Sequence, residues 1–401
     1  MKQEDISQKT NKFVGFVKSI KKELIDILLE YESYETACHE IDRTLKCLNN
    51  IKTEEKYLIY GNVNSISTFF PLNLPLYSLV LFAIVPSFMA KNVFVRPPIL
   101  MQEILGKISK RLNLSQHFPG IHILRAERRL FVDGYASVSD VIIFTGKFKN
   151  ALHVKKRCPF SLFIYNGAGI NPIIVSQNAD INIAAQKTLE MRVFNSGQDC
   201  AGPDAILVDE KILSIFLEKL FKLLDKIKVG NYKNRNVRIG KFIDQERIPS
   251  IEKLFNRFKK SIVYGGKIDH KNLITYPTVI LNNLKNNQFK YIEFFAPIFN
   301  IFPYNSDKQL DSFFQDKKYL RNAMYVSIFG NLDYIEKIKK SVIIKNKIVN
   351  DVEEGNKAYG GYGECANFIN YGNKFSYRPI LISKEIHDYL VYLKTKKIKI
   401  P

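Results

Sequence analysis

Among five cysteines, Cys200 alone lies in a stretch built to expose a side chain. Gly197-Gln198-Asp199-Cys200-Ala201-Gly202-Pro203 is small and turn-forming, and it follows a helical run. Such a turn lets a substrate come close to the backbone and meet a thiolate. A thiolate in that position attacks an acyl or carbonyl carbon. Cys38, Cys47 and Cys158 have no such setting and read as small buried hydrophobes. No CxxC pair occurs and the six histidines are dispersed, so neither a disulfide framework nor a metal site is expected and the thiols are read as reduced.

The segments around Cys200 resemble the aldehyde dehydrogenase superfamily. Asn166-Gly167-Ala168-Gly169-Ile170-Asn171-Pro172-Ile173-Ile174-Val175, then Asn178-Ala179-Asp180-Ile181, then Phe194 to Cys200, follow its catalytic-domain pattern in order and spacing. The likeness extends to Tyr276-Pro277-Thr278, Asn350-Asp351 and Tyr359-Gly360-Gly361-Tyr362-Gly363, and spans roughly residues 20 to 380.

Roles follow from the resemblance, position by position. Phe70-Pro71-Leu72-Asn73-Leu74-Pro75-Leu76 is similar to the segment whose asparagine, with the backbone N–H of the nucleophile, forms an oxyanion hole. Asn73 is then that donor, a contribution of about 3 kcal/mol where charge develops on the carbonyl oxygen. Asn92-Val93-Phe94-Val95-Arg96-Pro97-Pro98 resembles the strand end that reaches the adenosine ribose, with Arg96 where the family has lysine and Ile99 where NAD-preferring members often have glutamate. An arginine without that carboxylate suits a 2′-phosphate, so the cofactor is NAD or NADP, with NADP at least as well accommodated. Phe144-Thr145-Gly146-Lys147 resembles the turn beside the nicotinamide and pyrophosphate, with lysine in place of the usual serine. Glu293-Phe294-Phe295-Ala296-Pro297-Ile298 resembles the segment whose glutamate holds the nicotinamide ribose and whose aromatic Phe295 supports the ring.

The main departure is Asn166, which stands where hydrolytic members carry a general-base glutamate. An amide has no useful basicity and cannot activate water. The resemblance therefore implies an acylating or reductive enzyme, exchanging an aldehyde with an acyl-CoA or acyl phosphate through Cys200. Ordinary oxidation of an aldehyde to a carboxylate is one alternative. An inactive scaffold serving as a basic binding protein is another.

The elements that must position these residues form an α/β fold: a Rossmann-type cofactor domain and an α/β catalytic domain, both with largely parallel sheets, as in the aldehyde dehydrogenases. The expected division is N-terminal helices over 1–54, a cofactor domain over 55–165, a catalytic domain over 166–365, and a C-terminal return or oligomerisation segment over 366–401. Strands are expected at Asn62 to Phe69, Asn92 to Val95, Ile121 to Leu124, Val141 to Phe144, Ser161 to Ile164, Ile173 to Val175 and Ala205 to Val208. Further strands are expected at Tyr291 to Phe295, Phe299 to Phe302, Ala323 to Phe329 and Ser341 to Val349, and a lysine-rich helix at Asp333 to Lys340. No GxGxxG follows any of them, so cofactor binding rests on the residues above. The join between Leu48 and the first strand is too short for the oligomerisation hairpin common in relatives, which leaves the mode of assembly open, with a homodimer as one expectation.

With 401 residues, 46% hydrophobic and 25% charged, the chain exceeds the size of one core, and disordered or fibrous classes are excluded. Its net charge of +21 is spread along the chain without a zinc-finger, RNP-like or heptad pattern, so no nucleic-acid partner is expected. The apolar run Leu74 to Ala90 contains Pro75 and Pro86 and reads as a buried helix, not a membrane span. The polar N-terminus shows no export signal, and a cytoplasmic protein is expected.

Overall fold

The computed structural model describes residues 3–285, 290–372 and 374–396. Its first sheet is built from β1 (Val63–Phe69), β2 (Ala90–Arg96), β3 (Ile121–Ile123), β4 (Val141–Thr145) and β5 (Leu162–Asn166). Val141-Ile142-Ile143-Phe144 and Leu162-Phe163-Ile164-Tyr165 are buried without alternation, as strands covered on both faces must be. These five strands are parallel in the order β3-β2-β1-β4-β5. The order reverses between β1 and β4, which opens a crevice outside the carboxyl ends of the strands. The register puts Phe69 beside both Arg96 and Phe144, and Thr145 beside Asn166, so four segments with expected roles end on one edge.

The second sheet begins with β6 (Ile173–Val175), β7 (Ile206–Asp209) and β8 (Ile262–Tyr264). After a small hairpin, β9 (Ile268–Asp269) and β10 (Ile274–Thr275), it continues with β11 (Thr278–Leu281), β12 (Ile298–Tyr304), β13 (Tyr325–Phe329) and β14 (Val342–Lys345). The order is β14-β13-β6-β7-β12-β11-β8, parallel except for β8. The chain then returns to the first sheet, where β15 (Asn367–Tyr371) pairs antiparallel with β5 and with β16 (Lys374–Ser376).

Three helices, Gln3–Ser19, Lys21–Leu28 and Tyr34–Asn49, bury Leu24, Leu28, Ile41 and Leu48 against Val63, Ile66 and Leu105 of the first sheet's layer. The run from Leu74 to Ala90 is helical in three pieces: an α-helix at Pro75–Leu79, a π-turn at Val80–Ile84 and a 3₁₀ turn at Pro86–Met89. No helix among the described residues is long and apolar enough to cross a membrane.

Two expected elements differ. Tyr291 to Phe295 is irregular chain, because Phe295 takes φ 48° and Ala296 is pressed against Gly197, where an added Cβ would sit 2.3 Å from the Ala296 carbonyl carbon. Beta alternation in the side chains does not survive that turn. The lysine-rich helix shortens to a 3₁₀ turn at Asp333–Lys337, and Lys340 enters the left-handed region at φ 63°. The helix Arg247–Phe258, the hairpin and the C-terminal helix Ile382–Thr395 had no sequence expectation.

Candidate active site

The helix Ile181–Val193 opens on Asp180, whose carboxylate accepts from the Ile183 N–H at 3.0 Å. It ends in a strained turn in which Asn195 and Ser196, neither a glycine, take φ 46° and 55°. Contacts from every side hold that turn. The Asn195 N–H donates to Thr36 Oγ1 at 3.2 Å, Ser196 Oγ lies 2.6 Å from the Tyr232 hydroxyl, and the Gly240 N–H donates to Ser196 Oγ at 3.0 Å. The fully buried Arg192 guanidinium donates to the Gly197 carbonyl at 2.8 Å and the Pro203 carbonyl at 2.9 Å, spanning the Cys200 loop from within. Asn171 Nδ2 donates to the Cys200 carbonyl at 2.9 Å.

Cys200 opens onto a cavity of about 590 Å³ between the two sheets. Asn73, Thr145, Gly146, Asn166, Glu293 and Phe295 line the same cavity. Seven of the eight residues singled out from the sequence thus converge, although they come from five separate segments. Arg96 is the exception. It ends β2 on the same sheet edge but does not line this cavity, and its Nε donates to the Ala126 carbonyl at 3.2 Å.

Asn73 follows β1, just before Leu74 turns through φ 48° into the helix Pro75–Leu79. That helix start is held by buried Glu40, which accepts from the Tyr77 N–H at 2.7 Å. Asn73 Nδ2 donates to the Gln198 carbonyl at 3.3 Å, so the amide already reaches the Cys200 loop. The Cys200 sulfur lies 3.5 Å from the Tyr359 hydroxyl. Burial, and next the Asp199 carboxylate, push its thiol well above the usual cysteine range, while the Tyr359 contact opposes them. Asn166, at the end of β5, keeps its side-chain oxygen buried without a hydrogen-bond partner.

The cofactor side also fits its expected occupant. Thr145 Oγ1 donates to the Phe69 carbonyl at 2.7 Å and ties β4 to β1 at the reversal of strand order. Gly146 takes φ +132°, and the helix Phe148–Arg157 begins directly after exposed Lys147 with no acidic residue in its first turn. That helix start offers N–H groups and a positive end to a pyrophosphate. Burial raises the Glu293 carboxyl above its usual range, while Arg247, Arg192 and Lys147 pull it down. The Arg247 guanidinium lies 4.4 Å from the centre of the Phe295 ring.

Arg192, Arg247 and Glu40 were not singled out from the sequence, and Tyr359 stood there only within a stretch of family likeness, without a role. An arginine among buried Leu189, Met191 and Val193 was the one available signal, since such a charge must have a partner. The other three act through tertiary contacts that no local pattern announces.

A family model of the aldehyde dehydrogenase family matches residues 15–374. A lactaldehyde dehydrogenase of Methanococcus aeolicus is 28% identical over 254 residues, which are 61% of this chain and 54% of that protein. One of Methanococcus maripaludis is 26% identical over 321 residues, 73% of this chain and 67% of that one. The chain therefore spans little more than half the length of the first of these relatives. Among solved structures, glyceraldehyde-3-phosphate dehydrogenase GapN of Methanocaldococcus jannaschii, complexed with NADP, superposes with a TM-score of 0.80 at 19% identity, covering 97% of this chain and 88% of that one. Aldehyde dehydrogenase 21 of Physcomitrella patens gives 0.79 at 16%, covering 97% and 84%. With a model match over most of its length and a shared two-sheet fold, this chain belongs to the aldehyde dehydrogenase family, whose members are NAD(P)-dependent oxidoreductases.

Proposed function

We propose that the protein interconverts an aldehyde with an activated acyl group, an acyl-CoA or acyl phosphate, through a covalent Cys200 thioester. The carrying observation is Asn166, an amide whose buried oxygen is unpartnered in the cavity that holds Cys200. The Cys200 thiolate adds to the carbonyl carbon, the new S–C bond moves the carbonyl pair onto oxygen, and Asn73 with the Cys200 backbone N–H stabilises that oxyanion. When bound, the nicotinamide dinucleotide supplies or accepts a hydride at the sulfur-bearing carbon. Thr145, Gly146 and the following helix start would hold its phosphates, Glu293 its ribose, and Phe295 its ring. Arg96 would face the adenosine end, away from the reacting carbon.

Release from sulfur needs a nucleophile. Water requires a base to remove its proton, and Asn166 supplies none. A phosphate dianion or a coenzyme A thiol brings its own ionised or readily ionised atom. Attack on the thioester carbon then expels Cys200 as thiolate. Assays with acyl-CoA and acyl phosphate, against aldehyde oxidation, each with NADH or NADPH and the oxidised forms, test this reading. Reduction of an activated acyl donor is expected; turnover with water as sole acceptor overturns it.

A second reading is supported by Glu293, a carboxylate in the same cavity, and by the lactaldehyde dehydrogenases among the relatives. There Glu293 would serve as base for water and the product would be a carboxylate. Glu293→Gln would then abolish thioester hydrolysis in a single turnover, whereas under the first reading it weakens cofactor binding.

A further inference from the structure

We propose that the Tyr359 hydroxyl donates a hydrogen bond to the Cys200 thiolate as it forms, stabilising and aiming the sulfur until it adds to the carbonyl carbon. This rests on Cys200 being the nucleophile. Among the described residues, Tyr359 is the side chain hydrogen-bonded to the sulfur, at 3.5 Å. The other ionisable groups facing it are unhelpful to an anion. Asp199 on its own loop and Glu293 from the segment before β12 are carboxylates. Tyr165 of β5 has its hydroxyl donated to the Gly146 carbonyl at 2.9 Å, and the Tyr325 hydroxyl of β13 accepts the Gly360 N–H at 2.7 Å. Arg43, Lys147, Arg247 and Lys357 line the same cavity, but none of them is hydrogen-bonded to the sulfur, so the donor at the thiolate is the neutral phenol.

The phenol is built in place. The Tyr359 N–H donates to the Ile380 carbonyl at 2.9 Å and the Ile380 N–H returns to the Tyr359 carbonyl at 2.8 Å. The ring packs on Tyr325 with centroids 5.5 Å apart. The backbone after it cannot shift toward bulk, because a Cβ at Gly360 would lie 2.7 Å from Asn367 Oδ1 and one at Gly361 2.4 Å from Met324 Cα. Burial raises the phenol well above its usual range, so it keeps its proton and can act as a donor. The thiol proton leaves to solvent in the open cavity and the phenol keeps its own. Once sulfur bonds to carbon it is neutral and a weak acceptor, and the hydroxyl is released.

The test is the pH dependence of Cys200 alkylation by iodoacetamide, located by mass spectrometry, in the full chain and in Tyr359→Phe. Alkylation is expected to be about tenfold slower at every pH from about 7 to 10, the mark of a thiol about one unit harder to ionise. An unchanged or faster rate across that range overturns the proposal. NADPH-induced thermal stabilisation reports whether the variant is folded. Should it not fold, Tyr359→Leu, also without the hydroxyl, is read by the same two outcomes. Alkylation reads the thiol without turnover, so activity surviving in Cys200→Ser would end the nucleophile reading, whereas an unchanged alkylation rate in Tyr359→Phe ends only this one.

Discussion

Cys200 is a thiol that its surroundings hold protonated, since burial and Asp199 oppose its charge more than Tyr359 favours it. Its reactive form therefore grows as pH rises, and alkylation of Cys200 in the cofactor-free protein is expected to accelerate steadily from pH 7 to 10 without a plateau. A plateau near neutrality would show a thiolate already formed. On the proposed mechanism Asn73→Ala removes a donor to the oxyanion, and kcat is expected to fall by about 10²–10³. Cofactor affinity should be unchanged, as measured by titration of nicotinamide fluorescence. Both residues stood out in the sequence, Cys200 by its small turn and Asn73 by its place in a stretch that resembles the family. The role of Tyr359 did not, because the ring meets Cys200 only after the chain has crossed the second sheet.

At the level of elements, the Cys200 loop is held less by its own sequence than by the helix before it. Arg192 leaves that helix into the loop's interior, 3.9 Å from Asp204, and its Nε has no partner. Arg192→Ala would strand two carbonyls and a buried carboxylate, and a loss of about 3–5 kcal/mol in urea unfolding is expected. Activity should fall more than stability accounts for, because Gly197 and Pro203 flank the nucleophile. The strands of both sheets were legible because buried parallel strands read as apolar runs. Tyr291 to Phe295 reads as such a run too, yet is a loop: those side chains are buried by the Cys200 loop and not by strand neighbours, and local pattern does not distinguish the two.

For the whole molecule, the cavity between the sheets means that ligand binding and folding are linked. NADPH or NADH at a hundredfold its Kd is expected to stabilise the protein by about 2.7 kcal/mol, visible as a rise in Tm; no rise with either would favour an inactive scaffold. The N-terminal helices set a second dependence. Glu32 and Glu40 are buried together, and burial first, then Glu40, raises the Glu32 carboxyl well above its usual range. The folded pair therefore keeps a proton that the unfolded chain releases, so its contribution is fully present below the ordinary carboxylate range and lost as pH rises above it. Glu32→Gln, which cannot ionise, is expected to gain roughly 1–2 kcal/mol over the parent at pH 8 and little at pH 4, by urea unfolding at each pH.

What the sequence by itself determined is the family pattern and the two-sheet architecture, and it singled out Cys200, Asn73, Asn166, Thr145, Gly146, Glu293 and Phe295, since each sits in a motif of contiguous residues. Only the tertiary structure decided that these seven line one cavity while Arg96 stays outside it. It also decided that a buried guanidinium braces the Cys200 loop and that a phenol stands beside the sulfur. Hydrogen bonds and burial between segments far apart in the chain leave no periodicity in it, so their partners become visible only when the sheets bring them together.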